Sequence, residues 1–585
     1  MTSRRWLVFA AVLSVIASAC GGPPAIPSGS TGPASSVAPS ASPVAAASLP
    51  PSSGGPPPAC EPPTVTDPGA QPWWLDAVFY EVFVRSFADS DGDGIGDLRG
   101  LTERLDSLND GNPETHDDLG VTALWLMPVA ESPSYHGYDV SDYRTVEPDY
   151  GTNEDFQALV VAAEQRGIRV IVDLVLNHSS VEHPWFQDAR TRGSEHEDWY
   201  VWSDTRPAVS GPAGAPVWHA DGDRFYYGYF WDGMPDLNLR DAAVTNEVRD
   251  VARFWLDEMG AAGFRLDAAR HLIEDGDVLA NAPETLTWLR DFRSTVQRDD
   301  QTALVLGEVW DATSSAARYV NEDALDLAFE FGLASQFLSA VRFGDPASLA
   351  MIQAEVTDAY PAGGYAAFLT NHDQDRSFDV LGRDVAAAKQ AATLLLTSPG
   401  VPFIYYGEEI GLRGRKPDER IRTPLPWTGE GPGFGFTSGQ PWEAMAEDVS
   451  TTNVAAQRGD PESLLSRYRD LIALRESHPA LAPTSAIVPL ETTGEDVYAV
   501  LRHDPVSQEA LFVISNLGTE PATGVSVSLA DGPLCGEFDP SVALGDLSGD
   551  LPTPTITSTG GLTGWPVGDL APHADLILRL GPPQD

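Results

Sequence analysis

An α/β fold built on a (β/α)8 TIM barrel, with a small inserted domain after strand 3 and a C-terminal antiparallel β-sandwich domain, is what the sequence predicts. Three observations predict it. From residue 73 onward, eight short apolar runs rich in β-branched residues alternate with amphipathic helical patterns. Several of those runs end in polar side chains suited to chemistry, as barrel strands do at their C-terminal ends. After residue 479 the pattern changes to short alternating runs of the kind an antiparallel sheet leaves. The competing arrangement, an open doubly wound sheet, calls for a glycine-rich phosphate loop after the first strand, and the sequence has none there.

The elements follow in order. Arg4 and Arg5 precede an apolar stretch over 6–16 that is too short to span a bilayer. Ala17-Ser18-Ala19-Cys20 then resembles a bacterial lipobox, so residues 1–20 read as a lipoprotein-type signal peptide, with an ordinary secretory signal as the alternative. Residues 21–70, rich in Pro, Ser, Ala and Gly and nearly free of charge, cannot bury enough apolar surface to order themselves and read as a tether. Barrel strands are expected at 77–83, 121–127, 169–176, 263–266, 303–306, 324–329, 365–369 and 401–405. Helices are expected at 154–165, 244–259, 283–296, 385–397 and 462–475. The first part of the barrel spans 71–178 and the second 241–480. Between them, 179–240 is rich in Trp, Tyr, Gly and Pro and reads as the inserted domain over the barrel mouth. The β-sandwich occupies 481–585.

Among the 585 residues, acidic side chains outnumber basic ones by 85 to 36, for a net charge of -49. That excess repels nucleic acid and anionic lipid, so membrane contact is expected only through the N-terminal anchor, outside the cytoplasm on a bacterial cell envelope. With Cys20 lipidated, Cys60 and Cys535 remain in an oxidising compartment, either joined as a disulfide or left as two free thiols.

Four segments carry the chemistry: Asp173-Leu-Val-Leu-Asn-His178, Gly263-Phe-Arg-Leu-Asp267, Gly307-Glu308-Val-Trp310 and Thr370-Asn-His-Asp373. Glycosidic cleavage needs one carboxylic acid to protonate the leaving oxygen and one carboxylate to attack or to activate water. Arg265, two residues before Asp267, shares its face of strand four and is placed to keep that carboxylate ionised. Glu308, between Gly307 and the apolar Val309 and Trp310, stands where surroundings raise a carboxyl pKa and suit it to act as the acid.

These four segments, in this order, together with Met234-Pro-Asp-Leu-Asn238 in the insert, resemble the motifs of the α-amylase superfamily, glycoside hydrolase family 13. The resemblance spans the chain from about residue 73 and points to a branch between oligo-1,6-glucosidase-like and neopullulanase-like members. It implies Asp267 as nucleophile, Glu308 as general acid/base and Asp373 as transition-state stabiliser. It also implies that Arg265 orients Asp267, that His178 and His372 hydrogen-bond the sugar, and that Tyr138 of His136-Gly-Tyr-Asp139 stacks on its ring. Asp173 is expected to brace Arg265.

Asp89-Ser-Asp-Gly-Asp-Gly-Ile-Gly-Asp97 sets carboxylates at alternate positions with glycines for a sharp turn, hard oxygen ligands at a spacing that suits Ca²⁺. The family resemblance implies a structural calcium held by Asp89, Asp91, Asp93 and Asp97 with the Ile95 carbonyl. Asn177 resembles a ligand of a different calcium site, without identifiable partners in the insert.

The expected substrate is a starch-like α-glucan or maltooligosaccharide. Exo-acting relatives carry Asp two residues before the Gly of the Gly-Tyr-Asp motif; here that position is Tyr135, which favours an open cleft and internal cutting. The residues 416–427 resemble a loop that lines the cleft in the same branch. The alternatives are an exo-acting α-glucosidase, a cyclomaltodextrinase-like hydrolase with transglycosylation, and a non-catalytic interaction subunit. The last of these typically lacks one of the three acids.

Overall fold

The structure, a computed structural model, describes residues 58, 71–547 and 549–581. Eight parallel strands close into a barrel: β1 (Phe79–Val82), β2 (Ala123–Leu126), β3 (Arg169–Leu174), β4 (Gly263–Leu266), β5 (Leu304–Gly307), β6 (Leu327–Phe329), β7 (Tyr365–Ala367) and β8 (Val401–Tyr405). Each is hydrogen-bonded to its neighbours in sequence, and β8 returns to β1. All eight runs expected from the sequence therefore form the barrel.

Alternation along each strand decides what enters the barrel. Phe79, Ala123, Trp125, Ile171, Leu304, Leu306, Leu327, Phe329, Ala366, Val401 and Phe403 form one buried interior cluster. Phe79 stacks on Phe403 with ring centroids 4.2 Å apart, and Trp125 lies 5.3 Å from Phe329. These rings fill the lower barrel, so no pore runs through it. Two residues further along, on the same face, come Glu81 after Phe79, Asp173 after Ile171 and Glu308 after Leu306. The polar layer thus lies directly on an aromatic floor.

The expected helices form with small shifts. Asn153–Glu164 starts at a full capping box between Thr152 and Asp155, and Val385–Thr397 occupies the residues expected. The helix after the insert changes character: it is α-helical over Ala242–Arg253 and continues as a π-helical turn over Phe254–Glu258. The insert holds the helix Pro184–Ala189 and a three-stranded antiparallel sheet in the order Trp202–Ser203, Arg224–Tyr227, Trp218–Asp221. It is stitched to the top of β3, since Leu237 N–H donates to Asn177 O at 2.9 Å and Ser179 N–H to Pro235 O at 3.1 Å.

The C-terminal region forms a five-stranded and a three-stranded antiparallel sheet. Alternating runs there lead one to expect strands wet on one face, yet Val497–His503 and Ala510–Asn516 are buried along their whole length. Their two faces serve two cores. Ala499, Leu501, Phe512 and Ile514 pack between the sheets, while Tyr498, Val500, Leu511 and Val513 join the core of the barrel layer. The joint is also polar. Arg502, fully buried, donates to Thr397 O at 2.5 Å and Ala482 O at 2.7 Å. Arg475 donates to Leu396 O, Ser398 O and Gly400 O. Both guanidiniums therefore cap the C-terminal end of the helix Val385–Thr397, where the helix dipole favours positive charge.

Cys535 is disulfide-bonded, and Gly536 N–H donates to Pro58 O at 3.2 Å. Cys20 and Cys60 lie outside the described residues, as do the signal segment and nearly all of the tether. Among the described residues no helix is long and apolar enough to cross a membrane.

Candidate active site

Strand register brings the polar residues together. In the parallel ladder of β3 and β4, Asp173 pairs with Arg265; in that of β4 and β5, Leu306 pairs with Arg265 and Gly307 with Leu266. Asp267 and Glu308, each the next residue along, therefore emerge side by side. The Arg265 guanidinium, 1% exposed, joins Asp173, Asp267 and Glu308. Its Nη1 donates to Asp173 Oδ1 and Oδ2 at 2.9 Å each and to Asp267 Oδ1 at 2.7 Å. Its Nη2 donates to Glu308 Oε2 at 2.6 Å, an oxygen that also accepts from Ala268 N–H at 3.2 Å.

Burial and charge set the protonation of these groups in opposite senses. Burial pushes Asp267 up to about 6 despite the Arg265 charge, with Asp173 and Asp373 adding to the rise. Glu308 is raised by burial and by the charges of Asp267 and Asp373, against the pull of Arg265. Asp373 goes the other way: burial alone would raise it, but the charge and hydrogen bond of His372 and the charge of Arg422 outweigh burial and hold it well below the usual carboxylate range. His372 is correspondingly held up at about 9, because Asp373 and Glu81 overcome its desolvation. It is an imidazolium at neutral pH.

His372 Nδ1–H donates to Glu81 Oε1 at 2.6 Å. Its Nε2 lies 2.7 Å from Tyr138 Oη and 3.3 Å from Asp373 Oδ2. Tyr138 Oη–H then donates to Asp173 Oδ2 at 3.1 Å, which closes the network back onto Arg265. The Tyr138 and His372 rings stack 5.6 Å apart. Arg422 Nη2 donates to Asp373 Oδ1 at 2.9 Å and its Nε to His372 O at 2.9 Å.

The structure thus brings together Asp267, Glu308, Asp373, Arg265, Tyr138 and His372. His178 stands at the same end of the barrel, but its ring is occupied by the protein: Nε2 lies 3.1 Å from Tyr138 O and Nδ1 lies 3.3 Å from Asn177 Nδ2. Burial pushes it down to about 3, so it is neutral. Glu81 and Arg422 were missed by sequence reasoning. Glu81 carries a signal, a lone carboxylate in the apolar run Phe79–Val82. Arg422 carries none beyond its place in 416–427, because only folding brings it across the barrel mouth to Asp373.

Tyr135 is half-buried at the rim, with its phenol raised by burial and facing the charges of Arg422, Glu419, Asp418 and Asp373. Its ring stacks on Trp442 at 5.4 Å.

In the aspartate loop, the carboxylates of Asp89, Asp91 and Asp97 have oxygens within 4.8 Å of one another, a group able to hold a metal ion. Asp93, expected with them, is not in that group; its Oδ1 accepts from Ile95 N–H at 2.8 Å. Asp97 also caps the helix Leu98–Leu108 through Gly100 N–H at 2.7 Å.

Asn177, without identifiable partners in the sequence, has one in the insert: its Nδ2 donates to Asp236 Oδ2 at 3.1 Å. Its Oδ1 is buried with no hydrogen-bond partner among the described residues. Beside it, Asp236 is raised by burial and by the charge of Glu274, and burial raises Glu274 to about 7. Two buried carboxyls and an orphaned amide oxygen thus meet where the insert joins the barrel.

Comparisons with known proteins agree with this geometry. Residues 81–484 match the family model for the alpha amylase catalytic domain. The chain is 37% identical over 456 residues to Alpha-amylase 3 of Dictyoglomus thermophilum, covering 76% of this chain and 86% of that one. It is 33% identical to a probable alpha-glucosidase of Rhizobium meliloti, covering 77% and 90%. Among solved structures, an alpha-amylase from H. orenii superposes with a TM-score of 0.75 at 39% identity, covering 86% of this chain and 99% of that one.

Proposed function

The chain belongs to the α-amylase family of retaining glycoside hydrolases, and from that premise we propose that it cuts α-1,4-glucosidic bonds within starch-like glucans and maltodextrins. The observation that carries the catalytic assignment is the single guanidinium of Arg265 gripping Asp267 on one nitrogen and Glu308 on the other. Two carboxyls fixed on one fork are held close, as direct attack by one of them requires. Asp267, ionised above about pH 6, attacks the anomeric carbon. Glu308, raised, gives its proton to the departing glycosidic oxygen. A β-glycosyl ester on Asp267 results; Glu308, now a carboxylate, takes a proton from water, and that water opens the ester with net retention. Asp373, its carboxyl held low by the imidazolium of His372 and by Arg422, binds sugar hydroxyls and steadies the positive charge that develops on the ring. The half-buried Tyr138 ring offers the sugar an apolar face.

Internal cutting is supported by Tyr135, a neutral ring where a carboxylate would close the pocket around a terminal sugar. A resemblance to a probable alpha-glucosidase makes exo-action the second reading. Incubation with a blocked maltoheptaoside and with p-nitrophenyl α-glucoside separates the two: we expect cleavage of the first, and release from the second alone defeats the endo assignment. Asp267→Ala is expected to abolish turnover with the fold intact; an unchanged rate refutes the nucleophile.

Ca²⁺ in the aspartate loop would be held by Asp89, Asp91 and Asp97 with the Ile95 carbonyl, and would supply the positive charge that keeps the acidic turn closed. The Cys20 lipobox and the tether support export and lipid anchoring. Labelling of expressing cells with a radioactive fatty acid should mark the wild type and leave Cys20→Ala unmarked; equal labelling removes the anchor from the reading.

A further inference from the structure

Trp442 belongs to none of the motifs, yet it stands where the aspartate loop meets the cleft. Its backbone N–H donates to Gly94 O, inside the loop, at 2.8 Å. Its indole Nε1–H donates to Ser86 Oγ at 3.0 Å. That hydroxyl is fully buried and donates in turn to Arg422 O at 2.5 Å. The indole face stacks on Tyr135, with centroids 5.4 Å apart and planes inclined by 28°, and the Arg85 guanidinium lies 5.7 Å from the ring. One side chain therefore touches both residues that shape the cleft rim: Tyr135 directly, and Arg422, which holds Asp373, through Ser86.

The loop and the segment that bears Trp442 have no slack between them. Asp89 N–H donates to Phe436 O at 2.9 Å. Gly94 has φ +99°, and a Cβ there would lie 1.9 Å from Gln440 O; one on Gly439 would lie 2.2 Å from Gly92 O. Contacts this close pass a displacement on instead of absorbing it. The loop's shape in turn depends on its charge, because the three converging carboxylates repel one another unless a cation lies between them.

We propose that Trp442 is a positioning residue that couples the aspartate loop to the cleft rim, so that a calcium ion in the loop sets substrate affinity at Tyr135 and Arg422 as well as stability. The proposal rests on reading Asp89, Asp91 and Asp97 as a calcium site and Tyr135 as cleft wall.

The test compares wild type, Trp442→Phe and Trp442→Ala, each with calcium and after chelation. The readouts are KM and kcat on a linear maltooligosaccharide, near-ultraviolet circular dichroism and melting temperature. Chelation is expected to raise the wild-type KM about fivefold, the scale of one lost aromatic stacking contact, with a smaller change in kcat. It is also expected to alter the near-ultraviolet spectrum. Trp442→Ala should show the raised KM with calcium present and no further rise on chelation. Trp442→Phe, which keeps a ring on Tyr135, should recover most of the affinity. A wild-type KM in Trp442→Ala overturns the proposal. So does chelation that lowers the melting temperature while leaving KM and the spectrum unchanged, or calorimetry that detects no calcium binding. If Trp442→Ala does not fold, the chelation arm on wild type and Trp442→Phe decides. Failure of the endo reading is seen separately, in the wild-type product pattern, and leaves the comparison intact on whichever glucan the wild type turns over.

Discussion

Asp173 and Arg265 stand opposite one another across the ladder of β3 and β4, and Arg265 Nη1 lies 2.9 Å from each oxygen of the Asp173 carboxylate. Neither is placed to react, yet the pair decides where the reacting groups sit. Asp173 fixes the guanidinium from below, and the guanidinium then sets Asp267 and Glu308.

Removing that cation leaves two buried carboxyls, Asp173 and Asp267, and the part-buried Glu308 without their shared partner. Arg265→Ala is expected to abolish turnover and to cost about 3–5 kcal/mol of stability, the penalty of breaking a buried ion pair from one side. Arg265→Lys keeps the charge but cannot grip two acids on a planar fork. It should fold better than the alanine variant and remain nearly inactive. Thermal melting and single-turnover rates read both effects; wild-type turnover in the lysine variant contradicts the role given to the fork.

The acid limb of kcat/KM should have its midpoint near pH 6, where the Asp267 cluster takes up a proton. The nucleophile must be ionised, so activity rises as pH increases through this point. The same shift has a stability sign. Its folded pKa lies above the ordinary value, so the folded form binds the extra proton and Asp267 destabilises least below about pH 4. An acid limb centred near pH 4 contradicts the assignment.

Glu408 and Glu409 follow β8 and are both buried, with burial pushing them up to about 8 and about 7. Tyr468 Oη–H donates to Glu408 Oε1 at 2.8 Å and Tyr80 Oη–H to Glu409 Oε1 at 2.9 Å. With folded pKa values raised, the folded chain binds more protons than the unfolded chain between about pH 4.5 and pH 8. Their contribution is therefore lost as pH rises through that window. Glu408→Gln should raise the melting temperature at pH 8 to 9 and change it little at pH 5. An equal effect at both values contradicts the buried, protonated state.

Tyr135→Asp places a carboxylate beside Arg422 and should draw that guanidinium partly away from Asp373. The expected outcome is a shift of products from internal fragments toward single glucose units and a gain of activity on p-nitrophenyl α-glucoside. An unchanged product profile from a linear maltooligosaccharide removes Tyr135 from the specificity argument.

The barrel was legible because its strands are buried on both faces and so appear as near-continuous apolar runs, for instance Ala123–Leu126 and Leu304–Gly307. The alternating C-terminal runs gave the antiparallel sheets but not what covers them. Both faces of Val497–His503 are buried, Tyr498 and Val500 against the barrel layer. No local pattern records a neighbour hundreds of residues away. The acids proposed to react stand in motifs at strand ends and were legible there, but Glu81 was hidden as one carboxylate in a hydrophobic run, and Glu274 lies outside the motifs.

By itself the sequence determined the eight strands and the acidic turn that ends at Asp97, since each depends on local periodicity or spacing, while the resemblance of its motifs to a known family pointed to Asp267, Glu308 and Asp373 as the acids. Only the tertiary structure decided which charges meet. Closure of the barrel lays Arg422 on Asp373 and His372 on Glu81, and it is those long-range contacts, made at low dielectric, that hold Asp373 ionised while Asp267 is raised. The same closure seats Trp442 between the aspartate loop and Tyr135, a relation that spacing along the chain does not encode.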